Sequence, residues 1–205
     1  MTETFQQTRE VIIYAQKYIQ GKTIDLGAGS AKYREIISKK AESYIAFDMV
    51  PSKNIDVVGD VLNLPFQTET FDTVVSTQVL EHVEKPWIMV QEIHRILKKD
   101  GFCILTAPFL GPYHADPHDY FRFTIEGMKS LFKNTGFKTI ECFSYGKLFS
   151  VLSEFIRFSW FNPYQKKKKG NWRIIRFMEK MANLLNRFTK NRIIYSAVCI
   201  IAKKI

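Results

Sequence analysis

The stretch best supplied with reactive side chains runs from Pro108 to Thr124, Pro-Phe-Leu-Gly-Pro-Tyr-His-Ala-Asp-Pro-His-Asp-Tyr-Phe-Arg-Phe-Thr. It sets two histidines, two aspartates, two tyrosines and an arginine close together. Imidazole is the side chain whose ordinary pKa suits proton transfer near neutrality. His114 is therefore the preferred general base, with His118 beside it and His82, in Leu80-Glu81-His82, as further candidates. Asp119 and Arg122 read as a brace within the loop, and Thr124 as the cap of a following helix. No His, Asp or Cys group shows a familiar ligand spacing, so no metal site is expected. Cys103, Cys142 and Cys199 sit singly in apolar runs. Their odd count and wide spacing argue against disulfides and against a route through a thiolate, and suit a reducing compartment.

A second group is the turn Asp25-Leu-Gly-Ala-Gly29. Gly27 and Gly29 permit a tight strand-to-helix turn and close approach of a ligand to bare backbone. Lys32 stands where a dinucleotide fingerprint needs its third glycine, and Asp25 would set negative charge near a pyrophosphate. An acid here instead suits a cationic group such as an ammonium. Asp48, 21 residues after Gly27, can accept two ribose hydroxyls, and Asp60 an exocyclic amine, with Met49 and Val61 as apolar walls.

The elements that must position these residues alternate. Apolar runs at 23–26, 44–47, 55–58, 71–75 and 102–107 read as strands. Helical stretches are expected over 4–20, 32–40, 79–99 and 124–135, then a strand over 138–143 and a last strand within 193–202. Such alternation predicts an α/β fold, a doubly wound, mostly parallel seven-stranded sheet in a single domain spanning 1–205. Residues 146–192 exceed what a minimal sheet needs and are expected as a helical insertion before the last strand.

The chain has 205 residues and a formal net charge of +10. Residues 1–160 hold 18 Lys+Arg against 19 Asp+Glu, whereas 161–205 hold 12 against Glu179 alone. The excess lies entirely in the tail. Within it, Ile174, Phe177, Met178, Met181, Leu184, Leu185 and Phe188 share one helical face. Arg173, Arg176, Lys180, Arg187 and Lys190 share the opposite one, behind a block at Lys166–Lys169. Two readings stand: a basic amphipathic helix that meets an anionic membrane surface, or a helix whose apolar face packs on the sheet or roofs the cleft. No recognisable nucleic-acid module is present. No apolar run is long enough to cross a membrane and no secretory leader is expected, which suits a cytoplasmic protein.

Taken in order, Asp25-Leu-Gly-Ala-Gly29, Asp48, Gly59-Asp60, Leu64-Pro-Phe66, Phe71-Asp72, Val79-Leu-Glu-His-Val83 and the strand Gly101–Pro108 resemble the class I S-adenosylmethionine-dependent methyltransferases. The likeness covers about residues 20–145. It implies S-adenosylmethionine as cofactor, with Asp25, Gly27 and Gly29 at the methionine end, Thr77 and Gln78 as further lining, Asp48 at the ribose and Asp60-Val61 at the adenine. His114, Pro117, Asp119, Tyr120, Arg122, Phe123 and Thr124 resemble a loop of bacterial methyltransferases near polysaccharide functions. That likeness implies a small-molecule, glycan or lipid-linked acceptor and a role in polysaccharide biosynthesis. Val75-Ser-Thr-Gln78 lacks the Asn/Asp-Pro-Pro-aromatic sequence of enzymes that methylate base amines, which favours transfer to oxygen. The alternatives are a non-catalytic nucleotide-binding module or a methyltransferase acting on RNA or protein.

Overall fold

In the computed structural model, residues 5–161, 172–189 and 193–205 are described. Seven strands form one sheet: β1 (Lys22–Leu26), β2 (Ser43–Asp48), β3 (Val57–Val58), β4 (Phe71–Thr77), β5 (Leu97–Pro108), β6 (Phe137–Tyr145) and β7 (Ala197–Lys204). Their order is β3-β2-β1-β4-β5-β7-β6, parallel except for β7, which runs antiparallel to both neighbours. The six α-helices among the described residues are α1 (Thr8–Ala15), α2 (Arg34–Ile37), α3 (Pro86–Ile96), α4 (Ile125–Phe132), α5 (Leu148–Phe161) and α6 (Trp172–Asn186). The expected doubly wound sheet is present, and 146–192 carries two helices ahead of β7.

Adjacent residues on the central strands sort to opposite faces, which is why these strands read as unbroken apolar runs. Ile24, Val74, Cys103 and Ile200 join one core with Met89, Ile93 and Ile96 of α3 and Met128 and Phe132 of α4. Val75, Ile104 and Ile201 join the other with Val11, Ile12 and Ala15 of α1 and Ile36 and Ile37 of α2. Helices must therefore cover both faces, and the crossovers carry the chain between them.

Three helical expectations were too long. Of the stretch 4–20, the described residues 5–20 are α-helical only over α1, followed by a 3-10 turn at Gln16–Tyr18. The stretch 32–40 shrinks to the single turn of α2, because Ala31 (φ +54°) is still part of the entry turn. The stretch 79–99 divides into a 3-10 turn at Leu80–His82 and α3. Pro86 disfavours helical geometry at Lys85 and is preorganised to begin a new helix. At the far end Leu97, fully buried, pairs with Phe71 and starts β5, and Lys98–Gly101 lie within the register shift before pairing resumes at Phe102. The last strand starts at Ala197 rather than 193.

Candidate functional site

β1 and β4 lie side by side, and the chain winds away from them in opposite directions, so a crevice opens at their carboxyl ends. The glycine turn fills one side of it. Gly27 (φ +69°) lies against Val79, where an added Cβ would come within 2.2 Å of Val79 Cγ2. Gly29 (φ +57°) has nothing within 4 Å on its Cβ side. One glycine thus closes the packing and the other leaves bare backbone open to a ligand. The turn is tied to β2, for the amides of Gly27 and Ala28 both donate to Phe47 O, at 2.8 and 3.0 Å. The Asp48 carboxylate accepts from Gly29 N (2.8 Å) and Val50 N (2.9 Å). A carboxylate has about four lone-pair sites, so Asp48 keeps capacity for ligand hydroxyls.

Asp25, the fourth residue of β1, is buried, being 1% exposed. Its Oδ2 accepts from Tyr44 Oη at 2.8 Å, and its Oδ1 has no partner. Burial pushes its carboxyl up to about 7, against the Tyr44 hydrogen bond and the charge of Lys32. A cation brought near would lower it. Met49 and Asp60 are exposed and Val61 half-buried beside the ends of β2 and β3, and Asp60 Oδ1 accepts from Leu62 N at 2.8 Å. Thr77 ends β4, and Gln78 follows in a left-handed conformation (φ +57°) that residues other than glycine rarely adopt. Its amide Nε2 donates to Thr106 Oγ1 and Tyr145 Oη, each at 3.2 Å.

Across the crevice, the polar loop after β5 turns its residues inward on a fixed frame. Arg122 forks onto Asp119, with Nη2–Oδ2 at 2.7 Å, and also donates to Pro112 O at 2.9 Å. Asp119 in turn accepts from His114 N at 2.8 Å. Thr124 Oγ1 caps α4 by accepting from Gly127 N at 2.9 Å. The loop is latched to the 3-10 turn by the amides of Tyr120 and Phe121, which donate to Glu81 O. His82 and His114 meet edge to face, ring centres 5.1 Å apart. His82 Nδ1 lies 2.5 Å from His118 O, and His114 Nδ1 lies 3.1 Å from Pro112 O. His118 contributes that carbonyl, while its own ring stays on the exposed loop against Tyr120.

Glu81, not singled out from sequence, completes the group. Its side chain is fully buried, neither carboxylate oxygen has a hydrogen bond, and Oε1 lies 3.7 Å from His82 Nε2 and 3.8 Å from His114 Nε2. Burial raises its carboxyl to about 8 despite the charge of Arg122. No periodicity flags such a residue, because the cluster forms only when His114, 33 residues downstream, folds back onto it.

His114 and Gln78 also line a cavity of about 530 Å³ that reaches Lys32 and Tyr33 beside the glycine turn. α5 and α6 enclose it, contributing Ser150, Ser153, Glu154 and Arg157 from one and Ile175, Met178, Glu179 and Ala182 from the other. Burial raises the Glu154 carboxyl. The roof is pinned by Asn186 of α6, fully buried, which accepts from Phe149 N and donates to Ser150 Oγ and Gln6 Oε1. The inward face of α6 is therefore Ile175, Met178, Ala182 and Asn186. Of the apolar face read from the sequence, Met178 points to the cavity, whereas Ile174, Phe177, Met181, Leu184, Leu185 and Phe188 are 37–78% exposed. The basic block Lys166–Lys169 and Lys190 lie outside the described residues.

Residues 24–105 match the family model described as a methyltransferase domain. A protein of Mycobacterium leprae described as an uncharacterised methyltransferase is 27% identical over 103 residues, which is 44% of this chain and 38% of that one. The chain thus spans well under half the length of this relative. Among solved structures, a SAM-dependent methyltransferase from Archaeoglobus fulgidus superposes with a TM-score of 0.61 at 17% identity, covering 96% of this chain and 94% of that one. The cyclase SpnF superposes at 0.65 with 14% identity, covering 96% and 79%. These likenesses fix the fold, and the domain match spans the glycine turn, Asp48, Asp60 and Glu81-His82.

Proposed function

We propose that this chain is an enzyme that transfers the methyl group of S-adenosylmethionine to a hydroxyl oxygen of a glycan or lipid-linked acceptor. The observation that carries the reading is the crevice at the β1/β4 switch, where Gly29 leaves bare backbone open next to an Asp48 with spare acceptor capacity. The residues suit that cofactor. Asp48 would take the ribose hydroxyls, Met49, Asp60 and Val61 the adenine, and Gly29, Thr77 and Gln78 the methionine end. The unpartnered Asp25 Oδ1 would favour its ammonium. Bound there, S-adenosylmethionine supplies an electrophilic methyl group on a sulfonium.

The acceptor side is the 530 Å³ cavity under α5 and α6, whose hydroxyl, amide and carboxylate lining suits a polyol better than an apolar molecule. The acceptor hydroxyl would give up its proton at the Glu81–His82–His114 cluster on the cavity's edge, and alignment with the methyl group supplies the rest of the rate. The outward apolar residues of α6, with Arg173, Arg176 and Lys180 on the same helix and Arg187 just past its end, support docking on an anionic leaflet that presents a lipid-carried acceptor.

Labelled methyl donor incubated with candidate hydroxyl acceptors tests the reading, with His114→Ala as the control. Turnover should fall about 100-fold or more in the variant, the ordinary worth of an acid–base group. Affinity for S-adenosylhomocysteine should stay within threefold. An unchanged rate would remove His114 from the reaction.

A further inference from the structure

We propose that Glu81, His82 and His114 hold a divalent transition-metal ion of the zinc or iron(II) class. The claim stands on where the lone pairs point. Each imidazole sets its Nδ1 against a backbone carbonyl, His82 on His118 O at 2.5 Å and His114 on Pro112 O at 3.1 Å. A carbonyl only accepts, so each Nδ1 carries the proton and each neutral Nε2 presents a lone pair. Both Nε2 atoms face Glu81 Oε1, at 3.7 and 3.8 Å, too far for hydrogen bonds and close enough for two ligands of one ion. Two atoms each ~2.1 Å from a metal can be at most ~4.2 Å apart. Both Glu81–imidazole pairs meet that limit, and since all three atoms lie within 4.8 Å of one another, the two Nε2 atoms need draw together by at most about 0.6 Å to share one ion.

Among the described residues, no side-chain donor relieves this convergence. Both Glu81 carboxylate oxygens are buried without a hydrogen bond. Arg122, whose charge reaches Glu81, uses both terminal nitrogens on Asp119, Phe121 and Pro112. Three atoms gathered around one point, two imidazole lone pairs and a buried carboxyl that would give up its proton to a bound cation, make a donor set for one ion. Two histidines and one carboxylate, each imidazole held through its other nitrogen by a carbonyl, make a donor set that suits zinc or iron(II) and leaves coordination positions open. His82 and His114 keep 16% and 21% of their side-chain surface exposed, and His114 lines the cavity, so an open position would face the acceptor.

Resting on the methyl-transfer reading, an ion held here would take the place of the free imidazoles as the activating group: it would bind the acceptor hydroxyl and lower its pKa. The O–H proton passes to water, the new O–CH3 bond forms, and the sulfur of the donor keeps the electron pair of the broken S–CH3 bond. No redox step is involved.

Metal uptake is measurable without donor or acceptor. The full chain, stripped with chelator and dialysed, is titrated with Co2+ and followed by visible absorption, then with Zn2+ and followed by thermal melting. One equivalent of Co2+ should bind with d–d bands of a low-coordinate nitrogen–oxygen site, and Zn2+ should displace it and raise the melting temperature. Glu81→Gln and His114→Gln, both close in size to the native residues, should each weaken uptake at least tenfold while melting cooperatively. S-adenosylhomocysteine affinity in the stripped protein should be unchanged. Absence of stoichiometric uptake in the wild-type chain, or equal uptake in both variants, would overturn the site. Loss of S-adenosylhomocysteine binding with metal uptake intact would instead strike the methyl-transfer reading.

Discussion

Gly27 and Val79 meet across the boundary between β1 and β4, so closely that a Cβ on Gly27 would stand 2.2 Å from Val79 Cγ2. Two residues away, Gly29 has the same left-handed backbone and open space before it. The two glycines of one short motif therefore do different work, and substitution separates them. Gly27→Ala combines left-handed strain with overpacking against a stiff β-branched side chain, costing about 2–4 kcal/mol in urea unfolding. Gly29→Ala should cost only about 1–2 kcal/mol of strain. Its methyl group would nonetheless project toward the ligand and weaken S-adenosylhomocysteine binding at least tenfold. Equal losses of stability in the two variants would contradict the division.

The Asp25 carboxyl titrates near 7 in the folded protein, against an ordinary value of 3.8. The folded state thus holds a proton that the unfolded chain has released between about pH 4 and 7. Stability from this group is full below that range and lost as pH rises through it. Asp25→Asn keeps the shape and a polar contact to Tyr44 but cannot ionise. Relative to wild type it should gain stability from pH 5 to about pH 7 and level off by pH 8, read from melting temperatures across that range. A constant offset would mean that Asp25 ionises freely when folded.

The sheet and its winding were legible because they rest on local signals: apolar runs, a glycine pair and acids at strand ends. The strand order and the antiparallel β7 agree with the expected mostly parallel sheet. Helix ends were less legible. Pro86 interrupts a run that keeps its apolar character on both sides, and Leu97 is claimed by a strand because Phe71 offers it a partner. Glu81 and Asn186 were illegible as site and roof residues. Their roles come from contacts 30 or more residues away in sequence, Glu81 with His114 and Asn186 with Gln6, which no local pattern records.

Whether α6 docks on a membrane turns on its outward side chains. Phe177 and Phe188 are 64% and 78% exposed, so Phe177→Asp and Phe188→Asp should leave the melting temperature within about 2 °C, as surface substitutions do. The same changes should cut co-sedimentation with vesicles of mixed neutral and anionic lipid several-fold. Binding by the wild-type chain should weaken with salt, over the range in which the screening length falls from about 10 to 3 Å. Salt-independent binding, or none at low salt, would count against the docking.

Isothermal titration of the full chain with S-adenosylhomocysteine, with NAD as the comparison ligand, most directly tests the central claim of a methyl-donor site at the β1/β4 crevice. The expected result is one saturable site for S-adenosylhomocysteine, weakened at least tenfold in Asp48→Ala, and no heat from NAD. Saturable NAD binding without S-adenosylhomocysteine binding, or S-adenosylhomocysteine affinity indifferent to Asp48, would contradict it.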